Sequence, residues 1–157
     1  HHVVEGASEL MVTIGDDTRE VPAKVRGIDP ATDLALIQVD SERPLPYLRL
    51  GDSDRMRPGD YVMVIGNPLS LGRTVTVGVV SAVGRSIGIT DVSFENFLQT
   101  DAAINFGNSG GPMVVQRPSG EWVLAGATSF GQGCARAGWP GVYAELRAAA
   151  AFIYQYA

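Results

Sequence analysis

Residues Asp101–Met113 read Asp-Ala-Ala-Ile-Asn-Phe-Gly-Asn-Ser-Gly-Gly-Pro-Met: one serine among three glycines, then a proline and the start of an apolar run. Glycines at this density are turn formers. They also let a backbone bend tightly enough to present Ser109 beside a cluster of bare N–H groups. Both readings are open from these thirteen residues, and the surrounding chain has to decide between them.

The formal match of Gly107-Asn-Ser109-Gly-Gly111 to Gly-x-Ser-x-Gly tests one family of serine chemistry. That motif sits on a strand–turn–helix and is followed in the chain by an acid and then a histidine. No histidine follows Ser109, and Pro112-Met-Val-Val reads as a strand, so the α/β-hydrolase reading fails twice. A nucleophilic Ser109 needs an imidazole to take its proton and a carboxylate to orient that imidazole. Only His1 and His2 are available. The order is therefore His, Asp, Ser, which is the order of chymotrypsin-like double β-barrels. Ten aspartates lie between His2 and Ser109, and chemistry alone does not choose among them. Asp33, just ahead of an apolar run, reads equally well as a loop residue, and paired terminal histidines are also what a purification tag leaves.

The wider pattern agrees with strands. Short alternating or β-branched runs cover Glu9–Ile14, Glu20–Arg26, Leu34–Val39, Tyr61–Ile65, Thr74–Val83, Phe97–Thr100, Pro112–Gln116, Glu121–Thr128 and Gly141–Glu145. Turn signals such as Asp29-Pro30, Arg57-Pro58-Gly59, Asn67-Pro68 and Pro118-Ser119-Gly120 fall between them. The spacing predicts one helix, Leu146–Tyr156, and a single helical turn at Val3–Ala7. Nineteen glycines and nine prolines among 157 residues suit many short elements joined by turns. A waist at Leu50–Pro58, rich in Asp, Arg, Gly and Pro, divides the pattern into two β parts and predicts a cleft where they meet.

Composition excludes several classes. The chain is 45% hydrophobic with a net charge of −5, and its Lys and Arg residues are scattered singly. It is expected to bind neither nucleic acid nor an anionic membrane, and it has no apolar run long enough for a spanning helix. The single cysteine, Cys134, excludes an internal disulfide. No metal site or cofactor is expected. The chain begins His1-His2-Val-Val with no methionine or leader, and reads as cut.

Several blocks then occur together in one order: His2-Val-Val-Glu-Gly-Ala7, Asp29-Pro-Ala-Thr-Asp33-Leu-Ala-Leu-Ile37, Leu50-Gly-Asp-Ser53, Gly59-Asp60, Ile65-Gly-Asn-Pro68, Thr74–Ser81, and Gln99–Asn105 followed by Gly107–Pro112. Over roughly residues 2–113 they resemble the HtrA/Deg serine proteases. The resemblance implies that His2 is the general base, Asp33 its orienting carboxylate and Ser109 the nucleophile, with no role for His1. It implies an oxyanion hole from the N–H groups of Gly107, Asn108 and Ser109. From about 109 to 153 the chain looks instead like the end of a trypsin-type protease, in Gly120–Gly126, Ser129-Phe-Gly-Gln-Gly-Cys-Ala135 and Pro140-Gly-Val-Tyr143. The chain thus resembles a mosaic of two families that share one fold.

The expected fold is all-β: a chymotrypsin-like double β-barrel with a C-terminal helix. It forms one protease domain over 1–157, with a partial front barrel at 1–55 and a back barrel plus helix at 56–157, and no PDZ domain. HtrA proteins carry about three strands before the catalytic histidine, so the first barrel is expected to be truncated at its N-terminus and completed by an upstream segment or a partner chain. The trypsin-like tail places Ala103 at the floor of the specificity pocket, where an acid would select Arg or Lys. It places Gly131 and Gly141 on the pocket walls, and Ser129, Phe130 and Gly131 where a substrate strand would pair. Uncharged, apolar residues are expected before the cut. Cys134 matches a position that is disulfide-bonded in trypsins, but its partner position is Asn105, so a free thiol is expected. Protein or peptide substrates and an extracytoplasmic location follow from the resemblance, which leaves homo-oligomerisation open. The alternative reading is a catalytically incompetent, protease-like module that binds extended peptides.

Overall fold

The computed structural model describes residues 1–15, 19–67, 72–85, 97–104, 107–130, 141–147 and 149–156. Ten strands, β1 (Met11–Thr13), β2 (Glu20–Asp29), β3 (Leu34–Val39), β4 (Arg49–Leu50), β5 (Tyr61–Gly66), β6 (Thr74–Arg85), β7 (Phe97–Thr100), β8 (Pro112–Gln116), β9 (Trp122–Phe130) and β10 (Gly141–Glu145), precede a short helix, α1 (Ala150–Tyr156). Each run expected as a strand overlaps one, and the ends of β2, β5, β6 and β9 extend beyond the expected limits. The two-residue β4 was not expected, because its local signal was that of a waist.

β1, β2 and β3 form an antiparallel three-stranded sheet. The other strands follow the order β10-β7-β6-β5-β8-β9-β4, and β10 also pairs with β9. That last pairing closes a six-stranded barrel. β4 lies outside the ring, parallel to β9 through Arg49↔Val123 and Leu50↔Leu124. The waist is therefore tied to the barrel, with the Gly51 N–H donating to the Leu124 carbonyl at 2.7 Å.

Period-two alternation explains the interior. Val62 and Val64 point inward and are almost fully buried, while Tyr61, one residue away, is 76% exposed. Met56, Val80, Leu98, Ala102, Ile104, Met113, Ala125 and Tyr143 complete the barrel core. A second cluster lies outside the ring, where Leu34, Ala144, Leu146 and Ala149 pack with Leu50, Leu124, Ala127, Phe152 and Ile153. It joins β3, the barrel wall and α1. β10 is consequently buried along its whole length: alternate residues feed two different cores.

The helix begins at Ala150 rather than at the expected Leu146. Glu145 still pairs with Gly126 in the β10–β9 ladder, so the chain is extended up to that point and must turn before it can coil. Val3–Ala7 forms turns, closed by the Val4 N–H to the His1 carbonyl at 2.9 Å and the Ala7 N–H to the Val4 carbonyl at 3.2 Å. The Tyr156 ring lies over β2, where a Cβ on Gly27 would come within 2.6 Å of it. The C-terminal helix thus reaches back to the N-terminal sheet.

Candidate active site

The carboxylate comes from the β2–β3 turn. Asp29 folds this turn locally: its side chain accepts the Ala31 N–H at 3.1 Å and the Thr32 hydroxyl at 2.8 Å, an Asx-type turn. The turn leaves Asp33 at φ +56°, the only non-glycine residue with positive φ among those described. Such backbone is uncommon outside glycine and is held by surrounding structure. Here the holding contacts come from the N-terminal segment. The His1 nitrogen donates to the Asp33 carbonyl at 2.6 Å, and the His2 N–H donates to Asp33 Oδ1 at 2.9 Å.

His2 Nδ1 lies 2.8 Å from Asp33 Oδ2. An ionised carboxylate only accepts, so Nδ1 carries the hydrogen, and in the neutral ring Nε2 is then the acceptor. The hydroxyl of Ser129, on β9, donates to the same Oδ2 at 2.6 Å. Burial pushes the Asp33 carboxyl upward, but hydrogen bonds from Ser129 and from the His2 backbone and ring outweigh it, leaving the group below its ordinary value. Sequence reading gave Ser129 only a backbone role. Its side chain is in fact part of the carboxylate's environment, a contact spanning 96 positions that no local signal carries.

Ser109 is exposed, in a tight turn between Gly107 at φ +93° and Gly110 at φ +77°. Both glycines occupy backbone that side chains avoid. The turn is closed by the Gly111 N–H donating to the Asn108 carbonyl at 2.8 Å. It is fastened to β9 by the Gly110 N–H donating to the Thr128 carbonyl at 2.9 Å and the Thr128 N–H donating to the Gly111 carbonyl at 2.9 Å. The N–H groups of Gly107, Asn108 and Ser109 make no hydrogen bond among the described residues. Donors after the serine are used in folding, and those before and at it have no partner among the described residues. Asn108 is 3% exposed, its Oδ1 has no hydrogen-bond partner among the described residues, and it packs against Gly66 on β5.

The N-terminal segment and the serine turn are neighbours: a Cβ on Gly110 would touch Val3 Cγ2 at 4.0 Å. Strand β9 connects them from behind, since Thr128 holds the turn and Ser129 holds Asp33. His2 and Ser109 themselves are not hydrogen-bonded to each other among the described residues. The His2 side chain is 43% exposed, within reach of solvent. Ala103 is half-buried, and its carbonyl accepts the Thr76 hydroxyl at 3.0 Å. Gly141 opens β10 facing Ile104 and Tyr143. The backbone of Phe130 ends β9, opposite Val142. Gly131, Asn105 and Cys134 lie outside the described residues.

The model of the trypsin-like peptidase domain matches residues 1–123. The periplasmic serine endoprotease DegP of Salmonella typhimurium is 54% identical over 114 residues, 73% of this chain and 24% of that protein. The putative serine protease HhoB of Synechocystis is 52% identical over 116 residues, 72% of this chain and 27% of that protein. Among solved structures, the HtrA-type protease AlgW with decapeptide superposes with a TM-score of 0.83 at 38% identity, covering 99% of this chain and 46% of that one. The chain thus spans about a quarter of the length of these curated relatives. The all-β, chymotrypsin-like architecture and the HtrA/Deg resemblance expected from the sequence both hold. With its closed barrel and this match over residues 1–123, the chain belongs to the trypsin-like peptidase domain family.

Proposed function

We propose that the chain is a serine endopeptidase in which His2, Asp33 and Ser109 act together. The supporting observation is the Asp33 carboxylate, which accepts from His2 Nδ1 at 2.8 Å while β9 ties the same neighbourhood to the Ser109 turn. In this reading His2 Nε2 removes the Ser109 proton as Oγ attacks the substrate carbonyl carbon. The imidazolium, stabilised by Asp33, then returns that proton to the leaving amine. Water repeats the sequence on the acyl-enzyme. The unoccupied N–H groups of Gly107, Asn108 and Ser109 receive the oxyanion, and each such donor is worth about 10²–10³ in kcat.

Peptides are the substrate class, a reading supported by the structural neighbour AlgW, whose solved structure is one with decapeptide. Ala103 in place of an acid favours apolar residues before the cut, with Gly141, Gly131, Phe130 and Ser129 bordering the same subsite. The relatives are named periplasmic, which supports an extracytoplasmic location. Residues 1–55 and 56–157 act as the front and back parts of one protease domain.

A fluorophosphonate probe tests the chemistry. Intact mass should show one adduct at Ser109, lost in both Ser109→Ala and His2→Ala, and peptide hydrolysis should fall by about 10⁶ in either variant. Labelling that persists in His2→Ala means another base. No labelling of the unmodified protein means a peptide-binding module without catalysis. Ala103→Asp should raise cleavage after Arg or Lys, and no gain would displace Ala103 from the pocket floor.

A further inference from the structure

We propose that Thr128 is a positioning residue for Ser109, acting through the carbonyl of Gly111; the inference rests on the serine-protease reading above. Thr128 is 3% exposed on β9. It donates twice to one acceptor, through its N–H at 2.9 Å and its Oγ1 at 3.0 Å, both to the Gly111 carbonyl. Its own carbonyl accepts the Gly110 N–H at 2.9 Å. Three hydrogen bonds from one residue therefore straddle the two glycines that follow the nucleophile.

Those glycines lack side chains to pack: Gly111 lies against the Ile65 carbonyl of β5, whereas Gly110, at φ +77°, meets only Val3 Cγ2 within 4.0 Å, so hydrogen bonds carry much of the restraint at this end of the turn. A carbonyl has two lone-pair sites. Without the hydroxyl the Gly111 oxygen keeps one donor and the turn can pivot about it. The next residue extends the device. The β9–β10 register shifts here, leaving Ser129 as an extra residue between Thr128 and Phe130; Thr128 reaches the turn through Oγ1 while Ser129 reaches Asp33 Oδ2 at 2.6 Å. Two adjacent residues of β9 thereby set the spacing between the carboxylate and the nucleophile. Displacement of a reacting group by about 1 Å costs on the order of 10² in rate, which is the scale this clamp controls.

The test compares Thr128→Val, which keeps the shape and the N–H but lacks the hydroxyl, with Thr128→Ser, which keeps the hydroxyl. Both are made in the intact protein. Peptide kcat and KM, the rate of fluorophosphonate labelling and amide hydrogen exchange at Gly110 and Gly111 are measured. Thr128→Val should lose about 10–100-fold in kcat and labelling rate at unchanged KM, with faster exchange at both glycines. Thr128→Ser should restore all three. Unchanged rates and exchange in Thr128→Val overturn the positioning role. So does a Thr128→Ser variant as slow as Thr128→Val, because the loss then belongs to repacking and not to the hydroxyl. If the unmodified protein neither labels at Ser109 nor cleaves peptide, the protease reading itself fails and this role falls with it, whatever the exchange shows.

Discussion

Replacing Gly66 by alanine should disable the site while leaving the barrel folded. Gly66 ends β5 directly beneath Asn108, and a Cβ there would lie 2.6 Å from Asn108 Cγ and 3.1 Å from its Cα. Ordinary contact begins near 3.4 Å, and the Asn108 amide oxygen lies closer to that Cβ than Cγ does, so Cγ must retreat by about 0.8 Å, Oδ1 by more, and the backbone by about 0.3 Å. At 3% exposure Asn108 has little room to rotate, and its carbonyl is engaged by the Gly111 N–H. The displacement therefore passes into the turn that carries Ser109. Overpacking of this kind costs about 1–3 kcal/mol in stability. A shift approaching 1 Å costs up to about 10² in rate, or roughly 2.7 kcal/mol of transition-state stabilisation. Peptide kcat/KM and fluorophosphonate labelling measure the rate, and thermal melting measures the fold. The double variant Gly66→Ala with Asn108→Ala removes the obstructing side chain and should recover part of the rate. A folded Gly66→Ala variant with unchanged kcat/KM refutes the reasoning, since the turn would then not be wedged against β5.

Other variants probe the electrostatics and the helix. Ser129→Ala removes a donor to a charged oxygen and should cost about 1.5–3 kcal/mol at neutral pH. Because Asp33 is lowered in the fold, its contribution is present above the ordinary carboxylate pKa and lost on acidification; the deficit measured by denaturant unfolding should shrink as pH falls. Glu145 has the opposite sign: burial, with the nearby Asp54 and Asp52 charges, pushes its carboxyl up. Its contribution is present at low pH and lost as pH rises, so Glu145→Gln should be more stable than the parent at neutral pH and equal to it below about pH 4. Gly27→Leu should force the Tyr156 ring off β2, at a cost of about 1–3 kcal/mol. Limited proteolysis within α1 reports the change, and no change in cleavage would show that the ring is not seated there.

Strand content was legible because alternation is a local property: β3, β7, β8 and β10 occupy the residues their own patterns indicate. The glycines around Ser109 left a turn and a nucleophile equally open, and the two histidines, both upstream, set the order His, Asp, Ser only for a nucleophilic Ser109. What no local pattern carries is closure and convergence. The β10–β9 pairing that completes the ring, the attachment of β4 to β9 and the late start of α1 are each decided by partners far along the chain. Asp33 differs from the other aspartates only by where its turn places it. Ser129 and Thr128 look like ordinary strand residues until the folded barrel sets one against a carboxylate and the other against the serine turn. Chemistry can be read from residue types and their order, because these are written along the chain. Spacing between groups tens of residues apart exists only once hydrogen-bonded strands fix it in three dimensions.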